Sequence, residues 1–582
     1  RGRAVRSGHR RALAHDLCCR TAAMSLDLEV PVAPALTEPV TARASRPWWR
    51  SARVLLALIL LVSGSAIVLA MRRSSTTFDE IVMIAGGARG YQTGAWNLAP
   101  EHPPFTQYMY GLLPYLAGTR LPDESGVAPE ARAAAGYRYR YAQVFFWGAG
   151  NDPELVAFLG RLPSAMCALL LIALAFAFVR RHYGAQAGLL AATLVAFLPD
   201  VLAHGGVAYN DMPIALAYFA ALWRLDEAVR RPSIGNAAWA GLTTGLALGI
   251  KNSAVALAPA ALLLLLAELT LRRADRKWLQ QAGVAALAAV GSGYLLLVLI
   301  YRGDFLLSEY RYALSFVFRQ VTGTRAPSYL LGNVSTEGFW YYFPVAFLYK
   351  TSAGFHILLA LALMYFGRHL RSVQQLLKSP LRVPAIGALV FGSLLLRSQL
   401  NIGFRYALPL LPLFAVIVAV GTFRVWQANW KRARVAIAAA TALLILHPLS
   451  YFPHFLTYVS EYGPGRDRNY EVFADSSLDW GQGLLLLRDF MREHGISRVY
   501  LSYFGSAWPG GYGINYVPLY SFFQLPRLQS TGHEPPPQWV VISATHLTGT
   551  YFVGGDPFRQ FRAQPPAYVL GNSLYVYPVA PN

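Results

Sequence analysis

The chain is short of cysteine, of charge and above all of acid. Its three cysteines are Cys18, Cys19 and Cys167 among 582 residues. Two are neighbours in a polar stretch and one lies in an apolar run, which excludes a disulfide framework and a thiolate metal centre. Charged residues are 14% of the whole, where a soluble globular protein carries about 25%. Acids number 30 against 51 bases, a formal charge of +21. Such a balance can mark a nucleic-acid surface, but its arrangement here excludes one. Arg and Lys fall in short clusters between apolar runs, where they set topology and meet anionic membrane lipids. No nucleic-acid partner is expected. The start also lacks the apolar core of a cleavable signal peptide: Arg1–Ala23 is polar and Arg-rich, and Met24 offers an alternative start.

Apolar sequence is abundant instead, at 55%. Runs such as Val54–Met71 and Ala282–Ile300 reach the roughly 18 residues that cross a hydrocarbon layer as helix. Eleven apolar segments can be drawn, several of them shorter than a full crossing and borrowing flanking residues, among them Val54–Met71, Leu155–Val179, Ala185–Leu202, Pro213–Leu225, Ser352–Phe366, Tyr406–Phe423 and Val435–Pro448. Basic clusters test that count. Arg43, Arg46, Arg50 and Arg53 precede the first segment. Arg180 and Arg181 follow the second, Arg230 and Arg231 the fourth, and Arg272, Arg273, Arg276 and Lys277 the sixth. Arg368 and Arg371 follow the eighth, and Arg424, Lys431 and Arg432 the tenth. Every even-numbered segment ends in a basic cluster, the positive-inside pattern of a chain whose N-terminus is cytoplasmic.

The predicted architecture is a polytopic α-helical membrane protein with about eleven transmembrane helices and a small C-terminal extracytoplasmic α/β domain. Residues 1–50 read as a disordered cytoplasmic tail, 51–450 as the transmembrane domain with a first outer loop at 72–154, and 451–582 as the outer domain. In that last region Tyr470–Ala474, Arg498–Tyr503 and Trp539–Ser543 read as strands, and Gly481–Arg492 as an amphipathic helix. Ala567–Tyr577 reads as a hairpin turning at Gly571-Asn572.

The outward face gathers the residues able to do chemistry. Asp79 and Glu80 form an adjacent acid pair just beyond the first span, suited to act as a general base or to bind a divalent cation. Taken alone the pair also fits a solvated helix start. Glu101 and His102, before Pro103-Pro104, are hydroxyl-binding or metal-ligating types. Asp211, Lys251, Lys350 and Arg405 stand at outer span ends, where charge is costly and is paired or functional. Lys350 alone also fits a snorkelling lysine. Asp475 and Asp479 lie in a tail segment that also fits a helix cap. Asn333-Val334-Ser335 matches a glycosylation acceptor pattern, here attributed to chance.

Thr76–Glu80, Pro100–Pro104, Asn210–Pro213, Gly249–Asn252, Phe343–Thr351, Arg405–Pro412 and Asp475–Gln482 occur in order. Together they resemble bacterial glycosyltransferase family 39, similar to protein O-mannosyltransferases and the aminoarabinose lipid A transferase. The resemblance implies a GT-C fold in the plasma (inner) membrane. It also implies an inverting transferase that moves a sugar from a polyprenyl-phosphate donor to a hydroxyl on a protein, lipid or glycan. It assigns the catalytic position to Asp79 with Glu80, the donor phosphate to Lys251, Arg405 and Lys350, and acceptor or metal contacts to Glu101, His102 and Asp211. No cofactor is required, although the acids allow a divalent cation. Ile81-Val82-Met83 stand where some members have Arg or Tyr, and Gly403-Phe404 where members commonly have His-Pro. A lipid-linked glycan ligase or polymerase is the alternative activity, and a lipid-linked sugar flippase the alternative class. Transporters usually carry inverted repeats and midplane charges. The charges here gather at span ends on one face, which favours an enzyme.

Overall fold

The computed structural model describes residues 48–579 other than 135, 273–274, 323–325, 429, 524–535 and 553. The expectations for the N-terminal tail, including Met24, lie outside the described residues. All described residues belong to one compact unit.

Six helices are long and apolar enough to cross a membrane: Ala52–Arg72, Pro153–Tyr183, Asn252–Arg272, Arg276–Ile300, Leu410–Gln427 and Lys431–Leu449. A seventh candidate is the pair Tyr342–Lys350 and Ala353–His369, bent by 112°. The apolar windows of Arg276–Ile300 and Lys431–Leu449 are only 22% buried in protein, and Leu287 and Leu299 are 76% and 74% exposed. Leucine exposed along whole helices is a surface built for hydrocarbon rather than water. The chain is a multi-pass membrane protein.

Each of the other drawn segments also carries a helix, but a short or charge-bearing one. Asp211–Arg230, Ile234–Ile250 and Arg382–Arg397 are examples. Ala185–Leu202 is not one continuous helix. It divides into Ala185–Ala196 and Pro199–His204, because Pro199 forces Leu198 into extended backbone.

The segment between the first two long apolar helices is helical rather than irregular. Glu80–Thr93 crosses Phe105–Leu116, followed by Tyr137–Gln143 and a π-turn at Val144–Gly148. The crossing is made by two glycines: a Cβ on Gly87 would collide with the Gln107 carbonyl, and one on Gly111 with the Gly87 backbone. That contact fixes the start of the Glu80 helix against the rest of the loop.

The C-terminal region is α/β, with one correction. Tyr470–Ala474 is no strand; the 3-10 turn Arg466–Glu471 covers its start and the rest is irregular. Val499–Ser502, Trp539–Ser543, Tyr568–Leu570 and Leu574–Pro578 are strands, Leu484–Glu493 is the amphipathic helix, and Tyr516–Pro518 is a strand the pattern missed. Val499–Ser502 pairs in parallel with Tyr516–Pro518 and Trp539–Ser543, and the remaining pairings are antiparallel. Strand alternation splits the sheet's faces. Val541, Leu574 and Val576 pack with Leu484, Leu487 and Phe490. Val540, Ile542, Tyr575 and Tyr577 join the same core as the membrane helices. The sheet is thereby built into the wall of the transmembrane unit.

Candidate active site

Glu80 and Asp79 are adjacent in sequence and opposite in environment. Glu80 opens the Glu80–Thr93 helix and is wholly buried. Its Oε1 accepts from Arg161 Nε at 2.8 Å and the Ala208 N–H at 2.7 Å. Its Oε2 accepts from Arg161 Nη2 at 2.8 Å and the Thr77 N–H at 2.9 Å. These four bonds use the lone-pair positions of a carboxylate. Arg161, 2% exposed, spends its remaining donors on the Met71, Ser74 and Ser75 carbonyls at 2.7–2.9 Å. Glu80, expected to act in catalysis with Asp79, is saturated by these partners. Its role is to lock the end of the first span, the Thr77 turn and the Pro153–Tyr183 helix together.

Asp79, half-buried, faces a cavity of about 200 Å³ lined by Val82, Met83, Glu101, His102, Arg138, Tyr139 and Tyr209 among others. The Tyr139 hydroxyl donates to Asp79 Oδ1 at 3.1 Å. Burial and then the Asp79 charge raise the Tyr139 phenol, so it stays a donor. Glu101 is paired with Arg138. His102 Nε2 lies 3.1 Å from the Tyr209 hydroxyl. Burial lowers its pKa more than Glu101 and Asp79 raise it, which keeps the imidazole neutral at pH 7. Asp79 makes no ion pair among the described residues, so it is the cavity carboxylate left available as a base.

Arg138 and Tyr139 were not singled out from the sequence. The signal was present: Tyr137-Arg138-Tyr139-Arg140-Tyr141 alternates cation and aromatic between two apolar runs, a combination that binds polar rings and anions.

Beside this cavity, Asp211 bridges two cations. Lys251 Nζ contacts one of its oxygens, and Arg405 Nη1 is 3.2 Å from the other. The Arg405 guanidinium lies 4.4 Å from the Trp480 ring, 4.7 Å from Tyr406 and 5.0 Å from Tyr209. Aromatic faces on several sides hold a cation without neutralising it. Two cations and one carboxylate leave this trio of groups with one positive charge. Tyr209 touches both halves, contacting His102 with its hydroxyl and Arg405 with its ring.

Lys350 is elsewhere. It is wholly buried, and its Nζ donates to the Leu456, Tyr458 and Ser477 carbonyls at 3.0 Å each. An ammonium has three donors, and all are taken. Lys350, expected at the donor phosphate, is bonded through these carbonyls to the C-terminal region and ties it to the bent helix pair. The metal expectation also fails to find a ligand set. No cluster of three or more acidic, His or Cys side chains able to hold an ion occurs among the described residues. Glu101 and Asp211 already spend their charge on Arg138 and on Lys251 and Arg405. A second cavity of about 420 Å³ lies behind Arg161, walled mainly by apolar residues such as Met71, Leu202, Val207 and Leu456.

Residues 154–294 match the family described as dolichyl-phosphate-mannose-protein mannosyltransferase. Over that stretch the chain resembles this family. The matched segment includes Arg161, Asp211 and Lys251, so it spans both the lock and the cationic pair. No curated protein matches the sequence. Among solved structures the chain is similar to ArnT from Cupriavidus metallidurans in the apo state. The identity is 16%, the match covers 69% of this chain and 65% of that one, and the TM-score is 0.45. The same protein bound to undecaprenyl phosphate gives 16% identity, coverages of 74% and 68%, and a TM-score of 0.43. The apo oligosaccharyltransferase of Archaeoglobus fulgidus gives 15% identity, coverages of 88% and 72%, and a TM-score of 0.45.

Proposed function

We propose that this protein is an inverting glycosyltransferase that moves a sugar from a polyprenyl-phosphate donor to a hydroxyl acceptor on the extracytoplasmic face of the plasma membrane. The observation that carries the reading is Asp79: a carboxylate free of any ion pair among the described residues, facing a polar cavity beside a net-positive Lys251–Asp211–Arg405 cluster. Asp79 takes the acceptor proton, with Tyr139 fixing its rotamer. The hydroxyl oxygen attacks the anomeric carbon, and the polyprenyl phosphate leaves with the bonding electrons. Lys251 and Arg405 stabilise the charge that builds on this leaving group, a term worth several kcal/mol where donors are preorganised. Arg138, Glu101 and His102 offer donors and acceptors for sugar hydroxyls.

The same reading takes the eleven-span map with a cytoplasmic N-terminus, the boundary near residue 450 and an outer C-terminal domain. The basic clusters support it.

Asp79→Asn is expected to lower turnover by about 10²–10⁴-fold, the range of a lost general base, while the protein stays inserted and still binds donor. The assay follows a labelled polyprenyl-phosphate sugar in proteoliposomes. Full turnover by the variant removes Asp79 as the base. Movement of the lipid between leaflets without consumption replaces the transferase by a flippase.

A further inference from the structure

Residues 475–482 run between the two halves of the site. On one side the Phe78 N–H donates to the Trp480 carbonyl at 2.8 Å and the Ser75 N–H to the Gln482 carbonyl at 3.1 Å. On the other, Arg405 Nε donates to Ser476 Oγ at 2.9 Å, and that hydroxyl donates to the Ile402 carbonyl at 2.8 Å. Approach is so close that a Cβ on Gly403 would strike Ser476 Oγ. The residue that turns the chain into this contact is Asp475. Its φ of +54° is left-handed, a conformation costly for most side-chain-bearing residues and found at functional positions.

Asp475 is buried, with 8% exposure. Its Oδ1 accepts from the Ser476 N–H and its Oδ2 from the Tyr551 hydroxyl, while its own N–H donates to Thr545 Oγ1. It forms no ion pair among the described residues, although the next residue is bonded to Arg405. The groups that face it are Arg405 and Asp79 across the site, Asp479 on its own segment, and the phenols Tyr342, Tyr406 and Tyr551. A carboxylate one residue behind the aromatic-caged cation subtracts from the positive charge that cation can offer.

We propose that Asp475 is the proton-linked positioning residue of the donor site: an anionic phosphodiester held by Lys251 and Arg405 draws a proton onto Asp475. The inference rests on the glycosyltransferase reading of the site. Counting Lys251, Arg405, Asp211, Asp79 and Asp475, the groups sum to one negative charge with Asp475 ionised and to zero once it is protonated. Burial pushes Asp475 up to about 6, against the lowering by the Tyr551 hydroxyl and Arg405. A bound phosphate raises it further, since like charge disfavours the ionised form. By linkage, affinity for the phosphodiester rises as pH falls through this range.

The test uses the full chain in detergent and a short prenyl methyl phosphodiester, which has no proton of its own to exchange here. Titration calorimetry between pH 5 and 8, in two buffers of different ionisation enthalpy, reads affinity and proton uptake together. The wild-type protein is expected to gain up to about tenfold in affinity per pH unit lowered and to take up a proton near pH 7. Asp475→Asn is expected to bind with little pH dependence and no uptake. Tyr551→Phe, which removes the donor holding Asp475 ionised, shifts the midpoint to higher pH and supplies a second reading should the first variant fold poorly. Equal pH dependence and equal proton uptake in wild type and Asp475→Asn assign the proton elsewhere and overturn the proposal. Failure of the transferase reading is seen separately, as a probe that binds with its proton while no sugar is ever transferred.

Discussion

At the scale of single residues, the acid pair shows how one peptide bond can separate chemistry from architecture. Asp79 keeps an oxygen toward the cavity, whereas Glu80 is saturated by Arg161 and two backbone N–H groups. Removing one member of a fully buried ion pair leaves the other charge uncompensated, at a cost of about 3–5 kcal/mol. Glu80→Gln is therefore expected to lower the thermal unfolding midpoint markedly, with activity lost in parallel. Asp79→Asn should leave the midpoint near that of wild type. A Glu80→Gln protein that is stable but inactive reverses these roles. The same contrast divides the lysines: Lys251 meets Asp211 at the site, and Lys350 is consumed by three carbonyls.

At the scale of elements, the site is assembled from pieces that each need a close approach. The crossing of Glu80–Thr93 with Phe105–Leu116 depends on Gly87 and Gly111, and it holds Asp79 and the Glu101–His102 turn around one cavity. Gly111→Val places branched carbons against the Gly87 backbone, where neither helix can yield without moving the other. Overpacking of this kind typically costs about 1–3 kcal/mol. The expected outcome is a lower unfolding midpoint and a rise in KM that exceeds the fall in kcat, because binding geometry changes while Asp79 remains. An unchanged KM would show that this crossing does not shape the cavity. The segment 475–482 makes a second approach, bonding Ser75 and Phe78 on one flank and leaning on Arg405 on the other. This ties the C-terminal sheet to the reacting groups.

At the scale of the whole molecule, the proposed orientation rests on the apolar helices and the basic clusters and can be tested by labelling. In a variant lacking Cys18, Cys19 and Cys167, a cysteine at Ala128 is expected to react with a membrane-impermeant maleimide on intact cells. A cysteine at Arg231 should react only after permeabilisation. The reverse pattern inverts the topology and moves the proposed chemistry to the cytoplasm.

The apolar runs, the basic clusters and the helix-and-strand pattern of the C-terminal region were legible in the chain itself. Membrane partition and local periodicity are sums over neighbouring residues and need no knowledge of distant ones. Asp79, Lys251, Arg405 and Asp211 were also nameable, since charge beside an apolar span is conspicuous. Which charges remain free was not legible, because that depends on partners far along the chain. Arg161 reaches Glu80 from 81 positions away, and Ser476 reaches Arg405 from 71. Glu80 looked as available as Asp79 until Arg161 closed on it. The tertiary structure also supplied Arg138 and Tyr139 and turned Tyr470–Ala474 from an expected strand into the end of a turn and irregular backbone. Burial and hydrogen-bond saturation belong to the assembled packing, and they separate a carboxylate with an oxygen toward the cavity from a saturated one.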